Sequence, residues 1–229
     1  MRLIIRNLSK AYRFKRHLYL KSEERFIFKN VSVELGRGEN LLICGESGVG
    51  KSTLGKIIAM LETPSSGEIE FDSHSILGLD FESQRLLREQ ISYIFQEQKL
   101  ALNPHKKVID LLCVVSENFG QRANLETIKG LFNAFELDFS LMDLKARQLS
   151  TGQAQRIGLV RSMLLNPKLL ILDEITAPLD LSATQKILGF LMEWQRQHDI
   201  SYIFITHEKR IFGKHCAKTL NMGEIAESK

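Results

Sequence analysis

A glycine-rich loop with a lysine near its end, Gly45–Thr53, constrains the fold of this chain more than any other stretch. It fits the phosphate-loop pattern G-x-x-x-x-G-K-[ST] at every constrained position. Its glycines allow the backbone to wrap closely around a phosphate chain without a clash from Cβ. The residues predicted to contact that chain are Gly45, Glu46, Ser47, Gly48, Val49, Gly50, Lys51, Ser52 and Thr53.

The flanks of the loop have the pattern that such a site requires. The apolar run Leu41–Cys44 predicts a buried strand before it, and residues 54–61 predict a helix after it. This order directs backbone N–H groups and the positive end of a helix dipole at an anion. Lys51 would reach the β- and γ-phosphates, and the Ser52 hydroxyl would ligate Mg²⁺. The sequence therefore predicts a nucleoside triphosphate site.

The composition is that of an ordinary globular protein, with 44% hydrophobic and 25% charged residues among 229. The net charge of +4 is too mild to indicate a nucleic-acid partner, although it suits work near an anionic membrane surface. Cys44, Cys113 and Cys216 have no C-x-x-C spacing, which favours reduced core thiols of a cytosolic protein. The apolar runs are shorter than the roughly 18–20 residues of a membrane span, and no signal peptide is expected.

Apolar periodicity predicts an α/β fold. Strands are predicted at residues 2–6, 26–35, 41–44, 68–71, 91–95, 169–172 and 201–206. Helices are predicted at residues 54–61, 81–89, 107–118, 124–135, 152–165 and 181–197. The basic residues 13–25 are interpreted as a hairpin extension or loop with a solvated face.

A single domain is predicted for residues 1–229. Residues 1–96 and 164–229 would form a nucleotide-binding core around a central, mainly parallel sheet. Residues 97–163, which have helical spacing and little strand propensity, would form an inserted helical subdomain.

Polar residues at strand ends are candidates for the chemistry. Asp173 and Glu174 follow an apolar strand, where the first acid could hold Mg²⁺ and the second could polarise an attacking water. Gln96 and His207 also end strands and could contact the metal, the water or the γ-phosphate. Alone, Gln96 would be interpreted as a surface residue and His207 as a structural one.

The segment Leu149–Gln153 opens a predicted helix, with Ser150 as its N-cap. This second helix N-terminus could also bind an anion. Its occurrence about 20 residues before Asp173 makes the arrangement specific, since a single such helix end is common.

Together these motifs resemble the ATP-binding subunit of an ABC transporter over nearly the whole chain. The family's elements occur in order: the phosphate loop, the Q-loop (Gln96), the signature (Leu149–Gln153), Walker B (Leu169–Asp173) with the catalytic Glu174, the D-loop (residues 177–180) and the switch histidine (His207). The resemblance implies an ABC cassette with an N-terminal antiparallel β subdomain. It also implies that Tyr12, which alone could be a strand-end aromatic, stacks on adenine, and that Gln96 joins Ser52 and Asp173 at Mg²⁺.

The resemblance further implies two such subunits closing head to tail around two ATP molecules. The phosphate loop of one chain would face Ser150, Gly152 and Gln153 of the other. The implied partners are a paralogous or identical ATPase subunit, two membrane permease subunits and an extracytoplasmic solute-binding protein, without nucleic acid. The chain would lie peripherally on the cytoplasmic side of the inner membrane.

Two positions depart from the family pattern. The signature Leu-Ser-Gly-Gly-Gln has Thr151 in place of its first glycine, and the added bulk would lower the activity of the composite ATP site. The D-loop contains Ala177 and Pro178 but keeps Asp180, so its role is expected to be retained.

Residues 96–104 resemble the Q-loop stretch of the nickel, dipeptide and oligopeptide importer group, in which Leu-Asn-Pro follows the glutamine. The chain stops at Lys229 without the C-terminal extension common in peptide-importer subunits, which favours nickel or a metal chelate, with peptide as the alternative. A soluble ABC ATPase would usually add a second cassette, a coiled coil or a basic tail. A non-hydrolysing dimerisation module would most readily lose Glu174, which is present.

Overall fold

The computed structural model describes residues 1–14, 23–120, 124–177 and 180–227. The strands in these ranges are β1 Leu3–Phe14, β2 Glu23–Leu35, β3 Leu41–Cys44, β4 Ser66–Phe71, β5 His74–Ser75, β6 Ile91–Ile94, β7 Leu169–Asp173, β8 Ser201–Ile205 and β9 Lys218–Asn221. The α-helices are α1 Lys51–Ile58, α2 Phe81–Gln90, α3 Gln98–Ala101, α4 Val108–Asn118, α5 Leu125–Ala134, α6 Thr151–Met163, α7 Leu181–His198, α8 Lys209–Phe212 and α9 Met222–Glu227. Within the described ranges, none of these helices is long and apolar enough to cross a membrane.

Two compact units make up the chain, the first from residues 1–88 and 201–229 and the second from residues 89–200. The predicted helical subdomain, residues 97–163, falls within the second unit, and its boundaries stay a prediction. Most of the basic segment 13–25 and two D-loop residues, Pro178 and Leu179, lie outside the described residues.

The first unit contains an antiparallel sheet in the order β2-β1-β4-β5. Leu3 pairs with Leu35 on β2 and with Phe71 on β4, and all three side chains are buried. Asn7 has φ +48° at an irregularity in the pairing, beyond which β1 resumes. The predicted strand 2–6 was therefore too short, because β1 continues through this irregularity to Phe14.

Three parallel strands of the same unit carry the glycine-rich loop, with β3 between β8 and β9. All four residues of β3 are buried, as expected of an apolar strand with neighbours on both sides. The side chain of Asn40, which directly precedes β3, links β8 to the segment before β9 through two hydrogen bonds. It accepts a hydrogen bond from Tyr202 N–H at 3.0 Å and donates one to the His215 carbonyl at 2.9 Å.

The helix after the loop, α1, begins and ends earlier than residues 54–61 predict. It stops at Ile58, and Met60 takes φ +57° while the Leu61 N–H donates to the Lys56 carbonyl. The apolar pattern continues past this point, so nothing in the periodicity marks the end.

The second unit combines the parallel pair β6 and β7 with helices α3 to α7. Ile91 pairs with Leu169 at the start of the two strands. The helical part of the second unit has a buried apolar core that includes Leu112, Ile128 and Phe132. The sequence did not predict the short helix α3.

Candidate functional site

The phosphate loop of the first unit joins β3 to α1 in a conformation that requires glycine. Gly50 has φ +97°, and a Cβ there would lie 2.4 Å from Cγ2 of Ile27. Gly48 has φ +82°, a conformation that disfavours other residues, although no described residue beyond its chain neighbours lies within 4 Å of a Cβ built there. The loop therefore takes the close-turning shape that its sequence predicts.

The lysine of the loop, Lys51, is 6% exposed and folds back over the loop. Its Nζ donates to the carbonyls of Gly45 at 3.0 Å and Glu46 at 2.8 Å. In the part of the chain that the structure describes, no side chain caps α1 and no acidic residue lies in its first turn, so neither offsets the positive end of the helix dipole. A cation and helix N–H groups at one place suit the oxygens of a phosphate chain.

The predicted adenine-stacking residue, Tyr12, lies within β1 and close to the loop. Its side chain is hydrogen-bonded to Thr53, and its hydroxyl donates to Glu62. Nζ of Lys10 lies 3.0 Å from Oε1 of Glu62 and 4.8 Å from the centre of the Tyr12 ring. The hydrogen bond to Glu62 is the largest of the effects that raise the pKa of Tyr12. Sequence reasoning missed Glu62 and Lys10.

The predicted switch residue, His207, is exposed two residues beyond the end of β8. Its neighbour Thr206 donates its N–H to the Ile43 carbonyl of β3 at 3.2 Å. A cavity of about 640 Å³ is lined by His207, Lys209, Asn221 and the loop residues Gly45 and Glu46. The first unit thus places His207 and the start of the phosphate loop at the same cavity, and the role of His207 stays a prediction.

The second unit holds two acids at the end of β7. Asp173 is 4% exposed, whereas Glu174 is half-buried and has φ +45°. Each acid accepts a hydrogen bond from the neighbouring β6 segment. The Tyr93 hydroxyl donates to Oδ2 of Asp173 at 2.5 Å, and Nε2 of Gln96 donates to Oε2 of Glu174 at 2.8 Å.

Tyr93 was not predicted from the sequence as a site residue. Burial, followed by the negative charge of Asp173, raises its pKa well above the ordinary value for tyrosine. The hydroxyl therefore keeps its proton and acts as a donor. A tyrosine among apolar strand residues is typical of a core side chain, so the sequence carried no signal for this contact.

The signature segment opens α6 with the predicted N-cap, which is confirmed. Oγ of Ser150 accepts from the Gln153 N–H at 3.2 Å, and Oε1 of Gln153 accepts from the Ser150 N–H at 2.9 Å. This reciprocal pair is a capping box. Thr151 is exposed and lines a cavity of about 470 Å³ with Gln96, Lys99, Leu100 and Ala177.

A buried parallel strand, a glycine-rich loop and an uncapped helix with a lysine at its start define a phosphate-loop nucleotide-binding protein. The family model for the ABC transporter matches residues 28–177. The chain belongs to the ABC transporter family, as an ATP-binding subunit with ATPase activity. This confirms the resemblance on which the cassette fold was predicted.

Two curated relatives cover most of this chain. It is 34% identical to the nickel import ATP-binding protein NikE of Escherichia coli O157:H7, over 91% of this chain and 80% of that protein. It is 33% identical to the dipeptide transport ATP-binding protein DppF of Haemophilus influenzae, over 88% of this chain but 62% of that protein. The chain thus spans less than two thirds of the length of the dipeptide relative.

Solved structures have the same fold. The dimeric structure of MJ0796, a bacterial ABC transporter cassette, aligns with a TM-score of 0.83 at 26% identity, covering 96% of this chain and 95% of that chain. The cbiO1 protein of Clostridium perfringens, part of the cbiONQ transporter complex, aligns with a TM-score of 0.75 at 28% identity, covering 96% and 85%.

Proposed function

We propose that this ATPase subunit energises an importer and that the imported solute is nickel or a metal chelate. The phosphate loop carries the first part of the proposal. Lys51 lies on the carbonyls of Gly45 and Glu46, at the start of a helix without a side-chain cap. These groups would hold the phosphates of ATP. The ring of Tyr12, whose side chain is hydrogen-bonded to Thr53, would stack on the adenine of ATP.

Mg²⁺ would be held by Ser52, Gln96 and Asp173. Hydroxyl, amide and carboxylate oxygens are ligand atoms that Mg²⁺ prefers, and Asp173 supplies a buried carboxylate at the end of β7. The bound metal would neutralise charge that develops on the phosphates.

Hydrolysis would use Glu174 as the general base. Its carboxylate would take a proton from water while the water oxygen forms a bond to the γ-phosphorus. The bond from that phosphorus to the bridging oxygen would break, and ADP would leave with the electron pair. The hydrogen bond from Gln96 supports this role because it orients the carboxylate of Glu174. His207 would donate a hydrogen bond to the γ-phosphate.

Two ATPase subunits, paralogous or identical, would close head to tail for each cycle. The helix α6 would present Ser150, Gly152 and Gln153 to the nucleotide of the opposite subunit. Support comes from the position of Ser150, Gly152 and Gln153 at the N-terminal end of α6 and from the dimeric relative MJ0796. Thr151 would narrow this composite site and lower its turnover.

Two permease subunits and an extracytoplasmic solute-binding protein would complete the importer, with this chain on the cytoplasmic face of the membrane. Nickel comes first as cargo because the nickel import relative matches over 91% of this chain, against 88% for the dipeptide relative. Dipeptide or oligopeptide is the second candidate, because that relative is 33% identical over 88% of this chain and residues 96–104 resemble the Q-loop stretch of an importer group that includes peptide importers.

The test compares uptake of radioactive nickel and of labelled dipeptide in cells whose native gene carries K51A. The matched control is K56A, which removes a half-buried lysine of the same helix beyond its first turn. The proposal is supported if K51A cells lose nickel uptake but keep dipeptide uptake and K56A cells keep both. Loss of dipeptide uptake instead selects the second candidate, and normal uptake of both would contradict the importer assignment.

A further inference from the structure

Tyr93 on β6 makes a contact that none of the roles above uses. It pairs with Ile171 in the parallel ladder, and Asp173 lies two residues further along β7 on the same face. The side chain of Tyr93 is long enough to reach this diagonal position. The hydroxyl reaches Oδ2 of Asp173 at 2.5 Å, which is in the range of a charge-assisted O–H···O⁻ bond.

The ring of Tyr93 is fixed independently of its hydroxyl. It packs edge to face against Phe95, with the ring centres 4.9 Å apart and the planes at 63°. Ladder pairing of the two strands also holds the backbones of Tyr93 and Asp173 at a set separation. The hydroxyl is therefore presented to the carboxylate by packing that would remain if the hydroxyl were removed.

We infer that Tyr93 is a positioning residue that fixes the rotation of the Asp173 carboxylate for Mg²⁺. This rests on the metal role proposed for Asp173. A side chain at the end of a strand can rotate about χ1 and χ2, and a hydrogen bond to Oδ2 selects one arrangement of the two oxygens. Donors to a metal ligand typically change metal affinity by about 10–100-fold when removed.

The test is a Mg²⁺ titration of fluorescent ATP-analogue binding to the full chain, without any measurement of turnover. Y93F removes the hydroxyl and keeps the ring, and it should raise the Mg²⁺ concentration for half-maximal binding about tenfold. Binding of the analogue in EDTA should not change. The matched control is Y202F, which removes a hydroxyl from another buried strand tyrosine, and it should titrate like the wild type.

A second variant separates positioning from packing. Y93L loses both the hydroxyl and the ring contact with Phe95, so it should unfold at lower urea concentration than Y93F but show the same Mg²⁺ shift. A Mg²⁺ shift that follows stability instead, large in Y93L and absent in Y93F, would overturn the inference.

D173A serves to distinguish this inference from the role on which it rests. If D173A shifts the Mg²⁺ titration and Y93F does not, the positioning role is wrong and the metal role of Asp173 stands. If neither variant shifts it, the metal role fails and the inference about Tyr93 fails with it.

Discussion

The side-chain amide of Gln96 donates from Nε2 to Oε2 of Glu174 over 2.8 Å. Glu174 is held at φ +45° directly after β7, and Gln96 follows β6 by two residues. The two ends of neighbouring parallel strands thus meet through one hydrogen bond to the proposed base. A change at Gln96 should therefore reach the chemistry without touching the phosphate loop.

The Q96A variant should lower ATP turnover about tenfold, and it should also raise the KM for MgATP because Gln96 is a proposed Mg²⁺ ligand. A hydrogen bond to a charged group contributes roughly 1.5–3 kcal/mol, and part of that would be lost from the orientation of Glu174. Steady-state phosphate release measures both constants. The matched control is Q197A, which removes a glutamine-to-glutamate bond of 3.0 Å on the surface of α7 and should have no effect. Equal turnover in Q96A and Q197A would contradict the prediction.

The E174Q variant should bind ATP and hydrolyse it at least about 100-fold more slowly. General bases typically contribute about 10²–10⁴-fold, and an amide of the same size cannot take the proton from water. Equilibrium binding of labelled ATP and single-turnover hydrolysis would separate the two effects. In contrast to E174Q, the K51A variant should bind ATP more weakly. Substantial hydrolysis by E174Q would remove Glu174 as the base.

The sequence predicted those parts of the candidate site that are formed by residues close together in the chain. The buried strand before the phosphate loop and the Ser150 N-cap were both predictable, because spacing along the chain determines them. The contact of Tyr93 with Asp173 joins residues 80 positions apart, and a tyrosine in a strand is typical of a core. The early end of α1 could not be predicted from the sequence either, because it depends on Met60 taking a left-handed backbone conformation that non-glycine residues rarely adopt.

Gly158 provides a third prediction because a buried side chain occupies the space where its Cβ would be. A Cβ there would lie 2.4 Å from Oε1 of Gln98, which is 5% exposed and donates to the Phe95 carbonyl at 3.2 Å. G158A should lower the free energy of unfolding by about 1–3 kcal/mol, as overpacking typically does. Urea denaturation of the full chain measures this.

Two companion variants make the G158A result specific. G189A lies on α7, where no described residue outside the adjacent helix backbone comes within 4 Å of the added Cβ, so it should stabilise by up to about 1 kcal/mol through helix propensity. Adding Q98A to G158A should recover most of the cost, because the clashing amide is removed. A G158A variant as stable as G189A would show that Gln98 moves aside freely.

Glu62 gives a prediction for pH dependence. Burial acts to raise its pKa, but hydrogen bonds from Tyr12 and Lys10 outweigh this, and the net pKa lies below the ordinary value of 4.5. A carboxyl group with a lower pKa in the folded chain stabilises the fold above its unfolded pKa, and this contribution is lost as the pH falls through the folded pKa. E62Q carries no such charge.

The difference in unfolding free energy between wild type and E62Q should therefore be constant above about pH 5 and shrink below 4.5. Urea unfolding from pH 7 to pH 3 measures it, with Y12F expected to show a smaller acid loss than wild type. A difference that stays constant to the lowest pH would mean that Tyr12 and Lys10 do not hold Glu62 ionised.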